Sequence, residues 1–473
     1  MEIATETERK YDVPDDFELP SLAGAAGAAT HDLDATYFDT DDLLLMRNRR
    51  TLRRRTGGDD AGWHLKTPGD GTSRTEHRMP LGERADEVPA ELVGQVRAII
   101  RRRPLGAVGR LRTHRVETPL RDANGATLAL VAQDQVIAES DGHEQRWQEV
   151  EVELVDGGPE LLETVEQALF AAGATPAAGP SKVARALGDR LKKAQKKAKV
   201  KTTTKVNPVF AYAGEQRDAL VGFDPGVRQG DGESVHKMRV ATRRLRSTLK
   251  TFKRSFPDAG GLRDELKWLA DLLGTVRDGQ VQKGKLLADV EGAGPEFAAA
   301  AERIRQHLDE QVERGRAELV VELEGERYLT LLDRVDALTD DPAAAEDDPL
   351  KRARRSVAKA DGLLDQALAD GEDAELHEAR KAYKVARYAV EVFQPSAGKP
   401  VKRLVDALTG LQDVLGHHQD SVVARELLRE LGPDDFWFGV LWARQEQVGR
   451  DTYAQLPVAV EDSRKKNLRK WLG

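Results

Sequence analysis

The 473-residue chain is 33% charged, 40% hydrophobic and only 5% aromatic, with a net charge of −8 and no cysteine. That length exceeds one ordinary core and calls for two or three domains, while the missing cysteine excludes disulfides, thiolate ligands and a cysteine nucleophile. The net negative charge argues against a molecule that binds nucleic acid as a whole, and with no apolar run near about 18 residues and no signal-peptide hydrophobic region a soluble cytoplasmic protein is expected.

Short alternating segments at 2–13, 35–39, 43–56, 62–67, 74–81, 108–120, 126–138 and 145–154 are separated by Gly, Pro and Asp and read as antiparallel strands. Helical patterns interrupt them at 90–103 and 160–172. Glu6, Glu8 and Lys10 alternate, so their side chains leave one strand face about 6.6–7 Å apart. The same holds for Arg53 and Arg55, for His64 and Lys66, for Arg74, Glu76 and Arg78, and for Glu149, Glu151 and Glu153. One such strand is ordinarily the wet face of a sheet. Five of them, with mixed signs, are satisfied together by a barrel whose interior holds carboxylates and bases. Carboxylates suit a hard divalent cation, Mg²⁺ or Mn²⁺, and arginine and lysine suit phosphate oxygens.

Residues 191–205 are lysine-rich and poor in large apolar residues, as expected of a linker or a frayed helix leading into one. From about residue 206 Leu, Ala and Val recur at helical spacing between breaks near 256–261, 291–295, 340–349, 371–373, 395–400 and 432–434, which predicts an all-α domain of about ten helices. Within it a basic ladder occurs twice, 141 residues apart: His236, Arg239, Arg243 and Arg246, then His377, Arg380, Lys384 and Arg387. Steps of three, four and three place each set within an arc of roughly 80° on a helix. A lone stripe is usually a solvated face; a duplicated one points to a polyanion. Lys250 extends the first stripe, whereas Glu391 stands at the matching place in the second, which predicts a weaker second stripe. Leu273-Gly274 and Leu415-Gly416 repeat at an offset of 142. No second histidine lies one turn from His236 or His377, which argues against a metal there.

The first 190 residues resemble the CYTH superfamily, the triphosphate tunnel metalloenzymes. The motifs are Glu6-x-Glu8-x-Lys10, Leu52-Arg53-Arg54-Arg55, Leu65-Lys66, Arg74-x-Glu76, the arginine strand 110–115, Glu149-x-Glu151-x-Glu153-Leu154, and Ser181-Lys182 with Arg185, in the family's order. Residues 206–473 resemble a CHAD domain through the duplicated ladder. There are departures: Arg78 stands where the family often has a second acid, and 128–135 keeps Asp134 but lacks an earlier glutamate. The alternation at 110–115 fits either register; the family motif favours Arg112 and Arg115, a pair that shares one face only across a bulge.

The resemblance implies an α+β chain: an antiparallel barrel of about eight strands with flanking helices (1–190), the linker (191–205) and a helical domain of two similar halves (206–473). It implies metal-dependent hydrolysis of inorganic triphosphate or short polyphosphate, with Glu6, Glu8, Glu149 and Glu151 as metal ligands for Mg²⁺ or Mn²⁺. Lys10, Arg53, Arg55 and Lys66 would act on the phosphates catalytically, and Arg74, Arg112, Arg115, Lys182 and Arg185 would bind substrate. Glu153 would orient water or hold a basic neighbour. The helical domain would bind polyphosphate through His236, Arg239, Arg243, Arg246, Lys250, His377, Arg380, Lys384 and Arg387. Three alternatives stand: a non-catalytic polyphosphate scaffold associated with granules, an organic triphosphatase or adenylate cyclase, and, with less support, an RNA-binding protein. No membrane partner is expected.

Overall fold

The computed structural model describes residues 1–69, 73–84, 86–179, 181–199, 207–257, 259–290, 294–340 and 348–472. It divides into two compact units, Met1–Val200 and Lys201–Gly473.

The first unit is built on ten antiparallel strands: β1 (Glu2–Glu6), β2 (Glu8–Asp12), β3 (Ala29–Asp39), β4 (Thr51–Thr56), β5 (Gly62–Pro68), β6 (Arg74–Met79), β7 (Gly106–Arg121), β8 (Thr127–Ser140), β9 (His143–Leu154) and β10 (Thr175–Pro176). Their order is β1-β6-β5-β4-β3-β7-β8-β9-β2-β10. The expected closed barrel of about eight strands is therefore a ten-stranded sheet that is not closed by hydrogen bonds. The reason lies in residues 2–13, read as one strand. The chain breaks at Thr7, so β1 pairs with β6 and β2 pairs with β9 at opposite ends of the sheet. The expected strand 43–56 also divides: Leu44–Arg47 form a short helix, α1. The Asp39 carboxylate at the end of β3 accepts from the backbone N–H groups of Leu45 and Met46 at 2.9 and 3.0 Å and so satisfies donors that the helix start leaves orphaned. Helix α2 (Ala90–Ile100) follows β6.

Two helices cover opposite surfaces of the sheet. On one, α3 (Pro159–Ala171) packs Leu162, Val165 and Leu169 against Tyr11, Val131, Val150 and Val152. On the other lies α4 (Lys182–Lys199), kinked at Gly188 (φ 24°, ψ −99°). The lysine-rich segment expected as a linker thus begins inside α4. Leu191 is buried there with Val183 and Leu187, and burial of that apolar stripe keeps the helix going. Residues 200–205 of the expected linker lie outside the described residues.

The second unit is helical: α5 (Pro208–Gln229), α6 (Gly232–Thr251), α7 (Gly260–Val290), α8 (Ala298–Glu324), α9 (Glu326–Asp340), α10 (Pro349–Asp370), α11 (Asp373–Glu391), α12 (Gln394–Ala397), α13 (Lys399–Leu431), α14 (Phe436–Arg464) and α15 (Lys466–Arg469). The ladders occupy α6 and α11. Helix α6 packs on α5 and α7, and α11 on α10 and α13, and the ladder helices also meet each other. The duplication extends to their buried faces: Val235, Met238, Leu245 and Leu249 on α6 answer Leu376, Ala379, Ala386 and Val390 on α11, all at the 141-residue offset. Each basic stripe is the half-buried polar side of an amphipathic helix whose other side is core. Among the described residues no helix is long and apolar enough to cross a membrane.

Candidate functional site

Strand register gathers the alternating charges onto one face. Lys10 lies opposite Glu151 and Glu8 opposite Glu153; Lys66 lies opposite Glu76, and Arg115 opposite Asp134. Asp134 in turn lies opposite Glu149, and Arg53 opposite both Tyr37 and His64. The period of two directs Glu8, Lys10, Tyr37, Arg53, Lys66, Arg115, Glu151 and Glu153 into a cavity of roughly 330 Å³, with Glu76 and Asp134 paired to its lining residues Lys66 and Arg115.

Its ion pairs are dense. The Lys10 ammonium donates to Glu8 at 3.0 Å and to Glu151. Lys66 donates to Glu6 and lies 3.8 Å from Glu76. Arg115 forks onto Asp134 at 2.8 and 2.7 Å and reaches Glu151 at 2.6 Å. Lys182, carried in by α4, stands 2.9 Å from Asp134 and 2.8 Å from Glu149 and also contacts Glu151. Arg78 donates to Glu6 at 3.2 Å and to Glu76, so the residue that departs from the family pattern neutralises two carboxylates. Arg55 pairs with Asp60. The Nε groups of Arg53 and Arg55 are buried with no hydrogen-bond acceptor among the described residues, a deficit that an oxyanion would fill.

These contacts pull the carboxyls apart in acidity. Burial by itself raises Glu151, but Lys10, Lys182 and Arg115 outweigh it and hold it well below the usual carboxylate range. Glu153 has no ion pair among the described residues; burial and then the neighbouring Glu6 outweigh the pull of Lys66 and push it up to about 7. Arg55 is pushed down to about 9 by burial, then by Arg53 and Arg115.

Most of the expected residues meet here: Glu6, Glu8 and Lys10 from β1 and β2, Arg53 and Arg55 from β4, Lys66 from β5, Arg74 from β6, Arg115 from β7, Glu151 and Glu153 from β9, and Lys182 from α4. Arg112 does not. Register along β7 is continuous from Arg110 to Leu120 with no bulge, so Arg112 leaves the opposite face and pairs with Glu139. Arg185 is also elsewhere, donating to Asp12 at 2.7 Å and stacking on Trp147. The expected metal set of Glu6, Glu8, Glu149 and Glu151 is only half assembled. Among the described residues the carboxylates that converge are Asp134, Glu149 and Glu151, each offering an oxygen within 4.8 Å of the others. Glu6 and Glu8 are drawn instead to Lys66, Arg78 and Lys10. An all-oxygen donor set fits a hard divalent cation, and the Lys182 ammonium held by the same three groups marks the point as favourable for positive charge. Asp134 and Tyr37 were missed as site residues. The signal for Asp134 was its place as an acid between the apolar residues Val131, Ala132, Val136 and Ile137 of β8, which only the pairing with Glu149 makes meaningful.

In the second unit Arg239 forms two hydrogen bonds of 2.8 Å with Asp278. Gly274 lets that guanidinium lie against α7: a Cβ there would sit 3.3 Å from Arg239, and one at Gly416 would sit 3.6 Å from Arg380. The approach is tight only at Gly274; at Gly416 it is ordinary van der Waals contact, so the need for glycine is seen in the first copy alone. His377 contacts Gln419 through Nδ1 at 2.7 Å. Burial, then the nearby Arg277, lowers the His236 pKa, and burial also lowers that of His377. Arg246 and Lys250 have no ion pair among the described residues, and both border a cavity of roughly 600 Å³ together with Arg243, Arg263, Lys267 and Lys384. Arg387 is committed to Glu391 at 2.7 Å and Gln412 at 3.0 Å, and the buried Glu391 also takes Arg244 at 3.0 Å and the Tyr212 hydroxyl. Lys384 is pushed down to about 6 by burial, then by Arg243, Arg380 and Arg239.

Fold and site together define a two-domain α+β protein with an ionic cavity in one domain and duplicated basic helices in the other. The chain belongs to the family that joins a CYTH domain, matched over residues 4–187, to a CHAD domain, matched over 211–429. It is 36% identical over 502 aligned residues to an uncharacterized protein of Mycobacterium tuberculosis, covering 96% of this chain and 95% of that one. Among solved structures, the CHAD domain from the plant Ricinus communis matches at 25% identity and a TM-score of 0.41, covering 56% of this chain and 90% of that one. A putative adenylyl cyclase from Hippeastrum, whose description reports a dominant triphosphatase activity, matches at 18% identity and a TM-score of 0.25, over 39% of this chain and 94% of that one.

Proposed function

We propose that the first unit hydrolyses inorganic triphosphate or short polyphosphate with a divalent metal, Mg²⁺ or Mn²⁺, and that the second binds polyphosphate. The observation that carries this is the convergence of Asp134, Glu149 and Glu151 beside Lys10, Arg53, Lys66 and Arg115 on one sheet face. Those three carboxylates would hold the metal, with Glu6 and Glu8 on the same face. When bound, the metal supplies charge neutralisation at the phosphates and acidifies a water. Arg53, Arg55, Lys66 and Arg74 grip phosphate oxygens and offset the charge that builds in the transition state. Arg115 and Lys182 hold the acidic cluster in place, and Glu153, neutral or ionised near pH 7, is suited to receive a proton from the attacking water.

Inorganic substrates are favoured over nucleotides because the tryptophans are spoken for. Trp63 is buried on Phe38 with its N–H donated to the Leu81 carbonyl, and Trp147 donates to Glu149. A non-catalytic polyphosphate scaffold is the competing reading, favoured by the cationic partner each clustered carboxylate already has. Cytoplasmic location, with association to polyphosphate granules, belongs to either. Phosphate release from tripolyphosphate with Mg²⁺ or Mn²⁺, lost in EDTA, is the expected result; no release under either metal overturns the hydrolase.

Two further outcomes are expected. Arg53→Ala and Lys66→Ala each weaken transition-state binding by roughly 1.5–3 kcal/mol, the worth of a charge-assisted hydrogen bond, read as a fall in kcat/KM; unchanged kinetics in both would make these strands ordinary solvated faces. For the second unit, Lys384 is largely neutral above about pH 6 in the free protein. A polyanion beside it restores the charge, so binding near pH 8 takes up close to one proton and affinity falls as pH rises. In the free protein the unfolded chain holds the extra proton between about 6 and the ordinary lysine value, so stability rises with pH over that window. Calorimetry in buffers of different protonation enthalpy measures the uptake, and Lys384→Arg should abolish it; the same uptake in that variant refutes the assignment.

A further inference from the structure

We infer that the cavity of the first unit has a single mouth and admits a polyphosphate chain only end-on, so that hydrolysis proceeds from chain termini and never internally; this rests on the triphosphatase reading. The observation is a gradient along the strands. On β9 the cavity face reads Trp147, Glu149, Glu151, Glu153, and on the antiparallel β8 it reads Ala138, Val136, Asp134. On β7 and β3 the residues level with Ala138 are Leu111 and Ala35, with Tyr37 just beyond. At one end, then, the cavity face turns from charged to apolar on four neighbouring strands.

That apolar end is occupied. Val183, Ala184, Leu187 and Leu191 of α4 form one buried cluster with Ala35, Tyr37, Leu111, Val136, Ala138 and Trp147. The Ser140 hydroxyl and the Gln145 side-chain amide both donate to the Ala186 carbonyl, at 3.0 and 2.9 Å, and pin the helix there. Lys182, at the start of α4, points its ammonium back at Asp134, Glu149 and Glu151. A floor of buried hydrocarbon cannot be crossed by a chain carrying a charge on every phosphate. The opposite end is partly exposed, bordered by His31 and Glu117 on β3 and β7. A chain therefore enters by that end and stops at the floor with its terminal phosphates beside the carboxylates. In the step that follows, the water oxygen bonds to a terminal phosphorus and the bridging P–O bond breaks. The bridging oxygen leaves on the shortened chain, and the water protons pass to the released orthophosphate and solvent.

The test uses the full-length protein and polyphosphate of one defined length, either free at both ends or with both terminal phosphates converted to bulky aryl phosphoramidates. Free chains should release orthophosphate and shorten progressively, and capped chains should not be cut. Mid-length fragments, or cleavage of capped chains at the rate of free ones, overturn the inference. A binding arm separates it from the reading beneath. Radiolabelled tripolyphosphate is bound in EDTA by the wild type and by Arg53→Ala/Lys66→Ala, and the difference is the cavity-bound fraction. Free chains should displace that fraction and capped chains should leave it. If nothing is hydrolysed the triphosphatase reading fails, yet displacement still decides how chains enter. Equal displacement by both chains overturns the single mouth, and an absent cavity-bound fraction overturns both ideas.

Discussion

Glu149→Gln should reduce phosphate release from tripolyphosphate by at least about 100-fold, since even a partner one shell removed from a metal typically costs 10–100-fold. The glutamine keeps the shape of the side chain and can still accept the Trp147 N–H, now at 2.6 Å from the carboxylate. What it loses is the charge that Asp134 and Glu151 cannot replace by themselves. The fold should survive, because Lys182 retains those two carboxylates as partners. Glu151→Gln is the harsher change: it strips Lys10, Arg115 and Lys182 of a shared anion at once, and breaking a buried pair by removing one member costs about 3–5 kcal/mol. Circular dichroism and thermal melting separate the two effects, and Mn²⁺ titration gives a readout independent of turnover. Wild-type activity in the Glu149→Gln/Glu151→Gln double variant would remove the carboxylates from the chemistry.

How much of this was legible before the fold depends on the range of the interaction. Strand alternation is a property of neighbours two residues apart, so Glu6 with Glu8 and Lys10, Arg53 with Arg55, His64 with Lys66, and Glu149 with Glu151 could each be grouped from spacing alone. Helical stripes are local too, and both ladders fall on helices of the predicted kind. Arg112 failed because register is set between strands: only the pairing of Arg115 with Asp134 shows which parity of β7 faces the cavity. Two of the four expected metal ligands, Glu6 and Glu8, stand outside the carboxylate cluster for a related reason, while Glu149 and Glu151 are in it. Whether Glu8 turns to Glu149 or to Lys10 depends on the distance across the sheet, which no one-dimensional pattern carries. The open sheet is a third case, since the break at Thr7 reroutes hydrogen bonds without altering the alternation that made residues 2–13 look like one strand. Residues 191–199 looked like linker because lysine dominates their composition, while the apolar residues that hold α4 down are concentrated before and at Leu191.

Replacing Arg239, Arg243 and Arg246 together by alanine should weaken polyphosphate binding more than replacing Arg380, Lys384 and Arg387. The comparison turns on which charges remain unneutralised. In the first stripe Asp278 satisfies Arg239, but Arg246 is without an ion pair among the described residues and Lys250 continues the line, both beside the same cavity. In the second stripe Arg387 is spent on Glu391 and Gln412, and Lys384, pushed down to about 6, carries only part of its charge near neutrality. Arg380 is left as the main free cation of that set. Each phosphate contact displaces condensed counterions, so the slope of log affinity against log salt should become shallower by about 2 for the first triple variant and about 1 for the second, by analogy with other polyanions. Titration of long-chain polyphosphate at several salt concentrations measures both. Unchanged affinity in both variants would sink polyanion binding by these helices, whereas a larger loss from the second stripe would show that Glu391 does not hold Arg387 back from the ligand.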